Sequence, residues 1–368
     1  MESAVYFANA RARTDKESKV SKIRRLFDAA GFSEIIRKGD LTAIKLHFGE
    51  MGNDAYVNPI FVRQIADKIK ALGAKPFLTD TNTLYGGSRA NSVDHATTAI
   101  QHGFDYAVIG APIIIADGLN SDYYSEVEID KKHFKSVKIA GEISASDSMI
   151  VLSHFKAHLP AGFGGALKNL GMGCASAAGK SQQHSAKPIV NQELCIGCKS
   201  CMENCPVSAL VVKDKLSSIN YDTCRGCGKC LRVCPTHAID FNWFVDLPSF
   251  MERLAEYALG AIKGKKGRVG YFNFLLNITP DCDCVPWSDH PIVPDIGILA
   301  SKDPVAIDHA CYDLVNNQIG LQNSLLQRNY ESGADKFKGV WENTEGLIQI
   351  DYGSQIGLGN KNYRLIVV

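Results

Sequence analysis

The chain has 368 residues, 45% hydrophobic and 21% charged, with a formal net charge of +1. That length supplies two or three domains of ordinary size, and the composition is that of a folded globular protein. A near-zero net charge gives no electrostatic case for nucleic acid or an anionic membrane, and no run reaches the length of a membrane span or of a signal-peptide core.

Residues 4–8 and 41–48 are apolar, β-prone runs of strand length. Between them, within 17–30, Val20, Ile23, Leu26 and Phe27 recur at helical spacing. The next helix, 59–72, starts at Pro59, carries Ile60, Ile65, Ile69 and Leu72 on one face, and stops at Gly73. A strand over 75–79 and a helix over 90–102, closed by Gly103, follow. Strands alternating with helices of this length predict an α/β fold, a mostly parallel sheet with helices on both faces. Residues 107–116 and 149–152 read as further strands, and 126–129 with 136–139 as a β excursion. Beyond a cysteine-rich stretch the same style resumes, with a helix over 246–262, strands over 268–276 and 296–300, and a helix over 304–316. Asp303 reads as the N-cap of that last helix. The α/β domain therefore comes in two parts, 1–188 and 242–368, interrupted by an insert at 189–241.

The insert holds two runs, CIGCKSCMENCP from Cys195 and CRGCGKCLRVCP from Cys224. Each is C-x-x-C-x-x-C-x-x-x-C followed by proline, a spacing with which thiolates hold [4Fe–4S] clusters. Three close cysteines wrap one cluster and the fourth reaches across to the other. One cluster is thus assigned to Cys195, Cys198, Cys201 and Cys234, the second to Cys224, Cys227, Cys230 and Cys205. A zinc ribbon also uses C-x-x-C pairs, but its four thiolates leave half of these eight without a role. A disulfide framework belongs to small secreted domains. Gly197, Gly226 and Gly228 sit between ligands, where a tight turn calls for positive φ. Residues 209–213 and 218–221 predict a hairpin joining the halves, and the matching tails PVSAL and PTHAI make the two runs an internal repeat. The stretch from 189 to 241 resembles the two-cluster bacterial ferredoxins, which implies a small α+β module and one-electron transfer at low potential. Twelve cysteines, and clusters that oxidants damage, predict a reducing cytoplasmic location in an anaerobic or microaerobic source.

A second constellation follows the apolar run MIVL: SHFKAHLPAGFGGALKNLGMG, then ASAAGKSQQHS. Residues that follow a buried strand sit at the carboxyl end of the sheet, where α/β folds bind ligands. Gly162, Gly164 and Gly165 admit close approach, and His154, His158, Lys168, Asn169 and His184 supply chemistry. Taken singly, each is equally a surface or satisfied polar residue. The frame KLHFGE, TDTNTLY, SHFKAH, GFGGALKN and PDIGILASKDPVAIDHACYDLV looks like the domain-of-unknown-function family 362, many of whose members carry this ferredoxin insert. That family is similar in turn to the lactate racemase group, whose lysine anchors a nickel-pincer nicotinic-acid cofactor and whose histidines serve as metal ligand or acid–base. The resemblance places such roles on His158, Lys168 and His184. The second catalytic histidine of racemases has no counterpart in Thr79-Asp80-Thr81-Asn82-Thr83, and two-base racemisation needs a base on each face of the carbon. Racemase activity is therefore rejected, while a small anionic or carboxylate ligand beside Lys168 remains the expectation.

Of the other cysteines, Cys311 reads as core. Cys174, Cys282 and Cys284 with a histidine are candidates for a further mononuclear metal or a redox-active thiol group, against plain packing. Gly179-Lys180-Ser181 lacks the glycine spacing of a phosphate-binding loop. The functional expectation is a ferredoxin-fused oxidoreductase that takes electrons from a ferredoxin or reductase partner. The alternatives are a non-catalytic electron-transfer subunit, and a metal-dependent lyase or isomerase whose clusters are structural.

Overall fold

The computed structural model describes residues 2–185, 187–224, 226, 228–241 and 246–368. Seven strands form the central sheet: β1 (Ser3–Asn9), β2 (Leu41–Lys45), β3 (Lys75–Thr79), β4 (Ser148–His154), β5 (Val269–Leu275), β6 (Gly297–Ser301) and β7 (Tyr363–Val367), in the spatial order β7-β1-β6-β5-β4-β2-β3. β5, β4, β2 and β3 run parallel, β7 is parallel to β1, and β6 is antiparallel to both of its neighbours.

Alternation along the strands sends successive side chains to opposite faces. Met149 and Val151 of β4 and Tyr271 of β5 join one core, and Ile150, Leu152, Phe272 and Phe274 join the other. The second face is covered by α1 (Lys19–Ala29), α2 (Pro59–Ala71) and α3 (Ser92–Gln101). Over the first lie α4 (Ala166–Gly171), α6 (Leu247–Lys263), α7 (Pro304–Asn316) and α8 (Leu347–Gln355), while α5 (Ala177–His184) packs against α6. The helices begin where side chains can satisfy free N–H groups: Ser18, Asn58 and Asn91 cap α1, α2 and α3, and Asp303 accepts from Val305 and Ala306 at the start of α7.

One expected strand is not there. Asp105 accepts from the N–H groups of Ala107 and Val108, and Gly110 turns the chain at φ 73°, so residues 106–109 close into a short helix. The following segment runs beside β3 with a single bridge, Ile113 to Leu78. Neither β7 nor α8 was expected from periodicity.

Residues 188–241 carry two short helices, Ser200–Glu203 and Lys229–Arg232, and two antiparallel strand pairs, Pro188–Val190 with Ile239–Phe241 and Leu210–Lys213 with Leu216–Ile219. The hairpin turns at Asp214 and Lys215, both at positive φ, as a two-residue turn requires. Equivalent positions in the two cysteine runs adopt the same backbone: Lys199 and Gly228 start the helices at positive φ, Ser208 and His237 share φ 51°, and the N–H groups of Ala209 and Ala238 donate to Cys205 Sγ and Cys234 Sγ at 3.2 Å each. Gly197, Gly226 and Gly228 all have positive φ.

Candidate functional site

The four neighbouring parallel strands β5, β4, β2 and β3 end along one edge, and the chain leaving each of them lines a cavity of about 540 Å³. β2 leads to His47, β3 to Asp80, Thr81 and Thr83, β4 to His154, Lys156 and His158, and β5 to the loop holding Cys282 and Cys284. Lys168 of α4 and Lys180 and His184 of α5 complete the wall, so the structure brings His158, Lys168 and His184 into one site.

The loop after β5 is held by a buried carboxylate. Asp283 accepts from His154 Nδ1 at 2.7 Å and from Lys156 Nζ at 2.9 Å. Burial works against its charge, yet Lys156 and then His154 outweigh that and keep the carboxyl well below the usual range. Tyr85 accepts from Arg89 Nη2 and donates to the carbonyl of Cys284, both at 3.2 Å, tying the loop to the segment after β3. Clamped from both sides, Cys282 and Cys284 meet His158: the ligand atoms of the three lie within 4.8 Å of one another, a spacing that a metal ion can bridge. Lys168 Nζ lies 3.0 Å from Cys282 Sγ. Cys174 is elsewhere, its thiol directed at the carbonyl of Asn169 at 3.8 Å, so of the three candidate thiols it is the one outside this grouping. Cys311 is core, as read.

Protonation follows from burial. It lowers His47 and His184 to about 3 and His158 to about 4, helped by Arg89 at His47, by His158 and Lys168 at His184, and by Lys168 at His158. All three imidazoles are therefore neutral at pH 7. Burial also lowers Lys180 to about 8; its ammonium donates to Thr81 Oγ1, Asn82 O and Ala175 O at 2.5–2.8 Å and has no carboxylate among these contacts. Of the cations around the cavity, Lys156 is paired with Asp283 and Arg89 with Glu50, at 3.1 Å; the wall also carries Lys168, Lys180 and the carboxylates Asp80 and Asp281. Asp80 is itself paired with buried Lys45 at 2.9 Å.

The glycine loop before α4 works by close approach. Asp308 of α7 accepts from Ala166 N and Leu167 N at 2.8 Å each, and a Cβ on Gly165 would overlap that carboxylate. This packing seats Lys168 one turn into α4.

Sequence reasoning overlooked His47, Arg89, Lys156, Lys180 and Asp283 as site residues. His47 stands in the KLHFGE run just past a strand, and its position was the available signal. Lys180 lies in the ASAAGKSQQHS stretch that supplied His184, but apart from an incomplete phosphate-loop spacing no local pattern marked the lysine itself.

The eight insert cysteines are partly described. Cys195, Cys198, Cys201 and Cys234, from both runs, line one small cavity. Cys201 and Cys230 are buried in an apolar cluster that Cys205 and Cys234 adjoin, Cys224 is half-buried, and Cys227 lies outside the described residues. The second run touches the large cavity's wall: Gly228 lies so near Leu84 that a Cβ there would meet its side chain at 3.3 Å, and Leu84, Ala177 and Phe241 form a buried cluster against which Leu231 packs. Among the described residues no helix is long and apolar enough to cross a membrane.

One solved structure similar to this chain is the lactate racemase apoprotein from Thermoanaerobacterium thermosaccharolyticum, at 13% identity and a TM-score of 0.38, over 75% of this chain and 51% of that one. The chain thus spans about half the length of that protein. No curated protein matches the sequence. The family model described as a domain of unknown function, DUF362, matches residues 42–313, well over half of the chain and every cavity residue named above: the chain belongs to the DUF362 family.

Proposed function

We propose that the chain is an iron–sulfur electron-transfer protein, a ferredoxin-fused oxidoreductase whose cysteine-rich module, 189–241, relays single electrons to an anionic ligand in the large cavity. The observation that carries this reading is the convergence of Cys195, Cys198, Cys201 and Cys234 on one cavity. The residues there suit a cluster. Ala238 N–H points at Cys234 Sγ and Ser217 Oγ lies 3.4 Å from Cys201 Sγ, so polar groups face thiolate charge. Gly197 passes so close to the backbone of Lys215 that no side chain fits. Cys224, Cys227, Cys230 and Cys205 would hold the second cluster. When bound, the two [4Fe–4S] groups supply one-electron transfer at low potential.

The protein's own residues do the remainder. Leu84 bridges the second cysteine run to the cavity. Lys168 and Lys180 on the cavity wall, beside the ion-paired Arg89 and Lys156, make a setting that suits an anion such as a carboxylate. The neutral histidines offer nitrogen lone pairs and N–H groups without adding charge. Electrons would come from a ferredoxin or a reductase, and the cytoplasm is the compartment that suits such clusters.

The test is anaerobic purification with iron, sulfide, nickel and zinc analysis and EPR of the dithionite-reduced protein. About eight irons per chain and coupled cluster signals are expected, falling to about half in Cys198→Ala. Four or fewer irons accompanied by zinc would refute the assignment. The His158, Cys282 and Cys284 grouping favours one second reading, a metal-dependent lyase or isomerase whose clusters are structural; a stoichiometric extra metal lost in His158→Ala would support it.

A further inference from the structure

We propose that Cys282 and Cys284 form a redox-active thiol pair facing the cavity, in which the Cys282 thiolate attacks a disulfide ligand. The location in the cavity does not depend on the clusters; the electron supply rests on the function proposed above.

Three groups converge on one sulfur. Lys168 Nζ is 3.0 Å from Cys282 Sγ, and Cys284 Sγ and a ring nitrogen of His158 lie within 4.8 Å of it. The backbone decides what His158 can offer. Ala161 N–H donates to His158 Nδ1 at 3.1 Å, so Nδ1 carries the lone pair and the ring proton of the neutral imidazole is on Nε2. A ring in that state donates towards sulfur. A metal there would need the lone pair on Nε2, and moving the proton to Nδ1 would set it against the Ala161 N–H. The three-atom grouping is therefore better matched to one thiolate with donors around it than to an ion.

The remaining thiols show what burial does without such donors: Cys174 is pushed up to about 11 and Cys311 well above its ordinary value, both chiefly by burial. Cys282 is equally enclosed, but the Lys168 ammonium stands 3.0 Å from its sulfur. Reactive cysteines sit in such electropositive settings, and buried inert ones do not. Cys284 is half-buried and lines the cavity with Cys282, and the Asp283 clamp keeps both sulfurs there.

The chemistry balances. Cys282 thiolate attacks R–S–S–R′, the ligand's S–S bond breaks, and R′S⁻ leaves and takes a proton from solvent. Cys284 then attacks the Cys282 sulfur of the mixed disulfide, its own proton passes to the departing RS⁻, and a Cys282–Cys284 disulfide results. Restoring the thiolate–thiol pair takes two electrons and one proton to Cys284; the clusters that the eight insert cysteines would hold would supply those electrons. A disulfide across a C-x-C spacing is tight and so readily reduced.

The test uses the full chain, purified anaerobically with its iron measured on the same sample, and iodoacetamide pulses between pH 5 and 9. Peptide mass spectrometry then reads labelling at Cys282 and Cys284. Cys282 is expected to label at pH 6 nearly as fast as at pH 8, and Lys168→Met to slow the pH 6 reaction at least ten-fold. His158→Gln is the second variant should Lys168→Met not fold. Oxidised glutathione should convert the pair to an internal disulfide, and in Cys284→Ser leave a glutathione mixed disulfide on Cys282. Labelling that follows an ordinary thiol profile, or that begins only after a chelator removes one metal per chain, overturns the proposal. Normal labelling in a sample without cluster iron would sink the relay reading and leave the thiol pair standing.

Discussion

Asp283→Asn should be far more damaging than loss of an ordinary surface carboxylate. Asp283 is buried and receives Lys156 Nζ at 2.9 Å and His154 Nδ1 at 2.7 Å. In the variant the amide can still face His154, but the ammonium of Lys156, only 8% exposed, keeps one acceptor, the carbonyl of His154. Removing one partner of a buried pair costs about 3–5 kcal/mol, because an uncompensated charge remains in a poorly polarisable setting. Lys361 and Asp351 supply the control. They meet at 3.0 Å, but are 53% and 64% exposed, and Asp351→Asn should cost less than about 1 kcal/mol. Urea denaturation of both variants measures the contrast. The double variant Asp283→Asn, Lys156→Met removes the stranded charge and should be more stable than Asp283→Asn alone. Equal losses for the two single variants, or no recovery in the double, would refute the reasoning.

Acid should destabilise the fold through the site. His47, His158 and His184 have folded values of about 3, 4 and 3, below the unfolded value near 6.5. Their contribution is present above that value and is lost as pH falls towards the folded ones; each loses about 1.4 kcal/mol between pH 7.5 and 5.5. Asp117 and Asp308, raised by burial to about 6, act oppositely, their contribution being complete below the unfolded carboxyl value and lost as pH rises through 6. On acidification each returns about 0.8 kcal/mol, while His95, held well below its ordinary value by burial, adds a fourth histidine loss, so a net loss of about 4 kcal/mol is expected, and unchanged urea midpoints at the two pH values would contradict it. Gly165→Ala forces a Cβ into the Asp308 carboxylate and should cost about 1–3 kcal/mol, read as a lowered thermal midpoint. Leu84→Ala empties a buried contact between the cavity wall and the second cysteine run; about 2–4 kcal/mol of stability should go, while iron content stays unchanged and electron delivery to the cavity slows.

The sequence by itself determined which segments could be strands and helices, because alternation and the 3.6-residue period are local consequences of side chains having one buried face. It also determined the repeat in the insert: Gly197, Gly226 and Gly228 announced positive φ, and the backbone adopts it. His158, Lys168 and His184 were legible as neighbours because they follow one strand within a short stretch. Local signals misled where caps outweighed β propensity, at Asp105 and Gly110. Only the tertiary structure decided the composition of the site. Cys282 and Lys168 are 114 residues apart, and His47 and Arg89 enter from two other loops; they meet because four parallel strands end on the same edge. The same holds for charge. No pattern in the chain reveals that a histidine is neutral or that a lysine stands against a thiol, since desolvation and the approach of Lys168 exist only once the chain is packed.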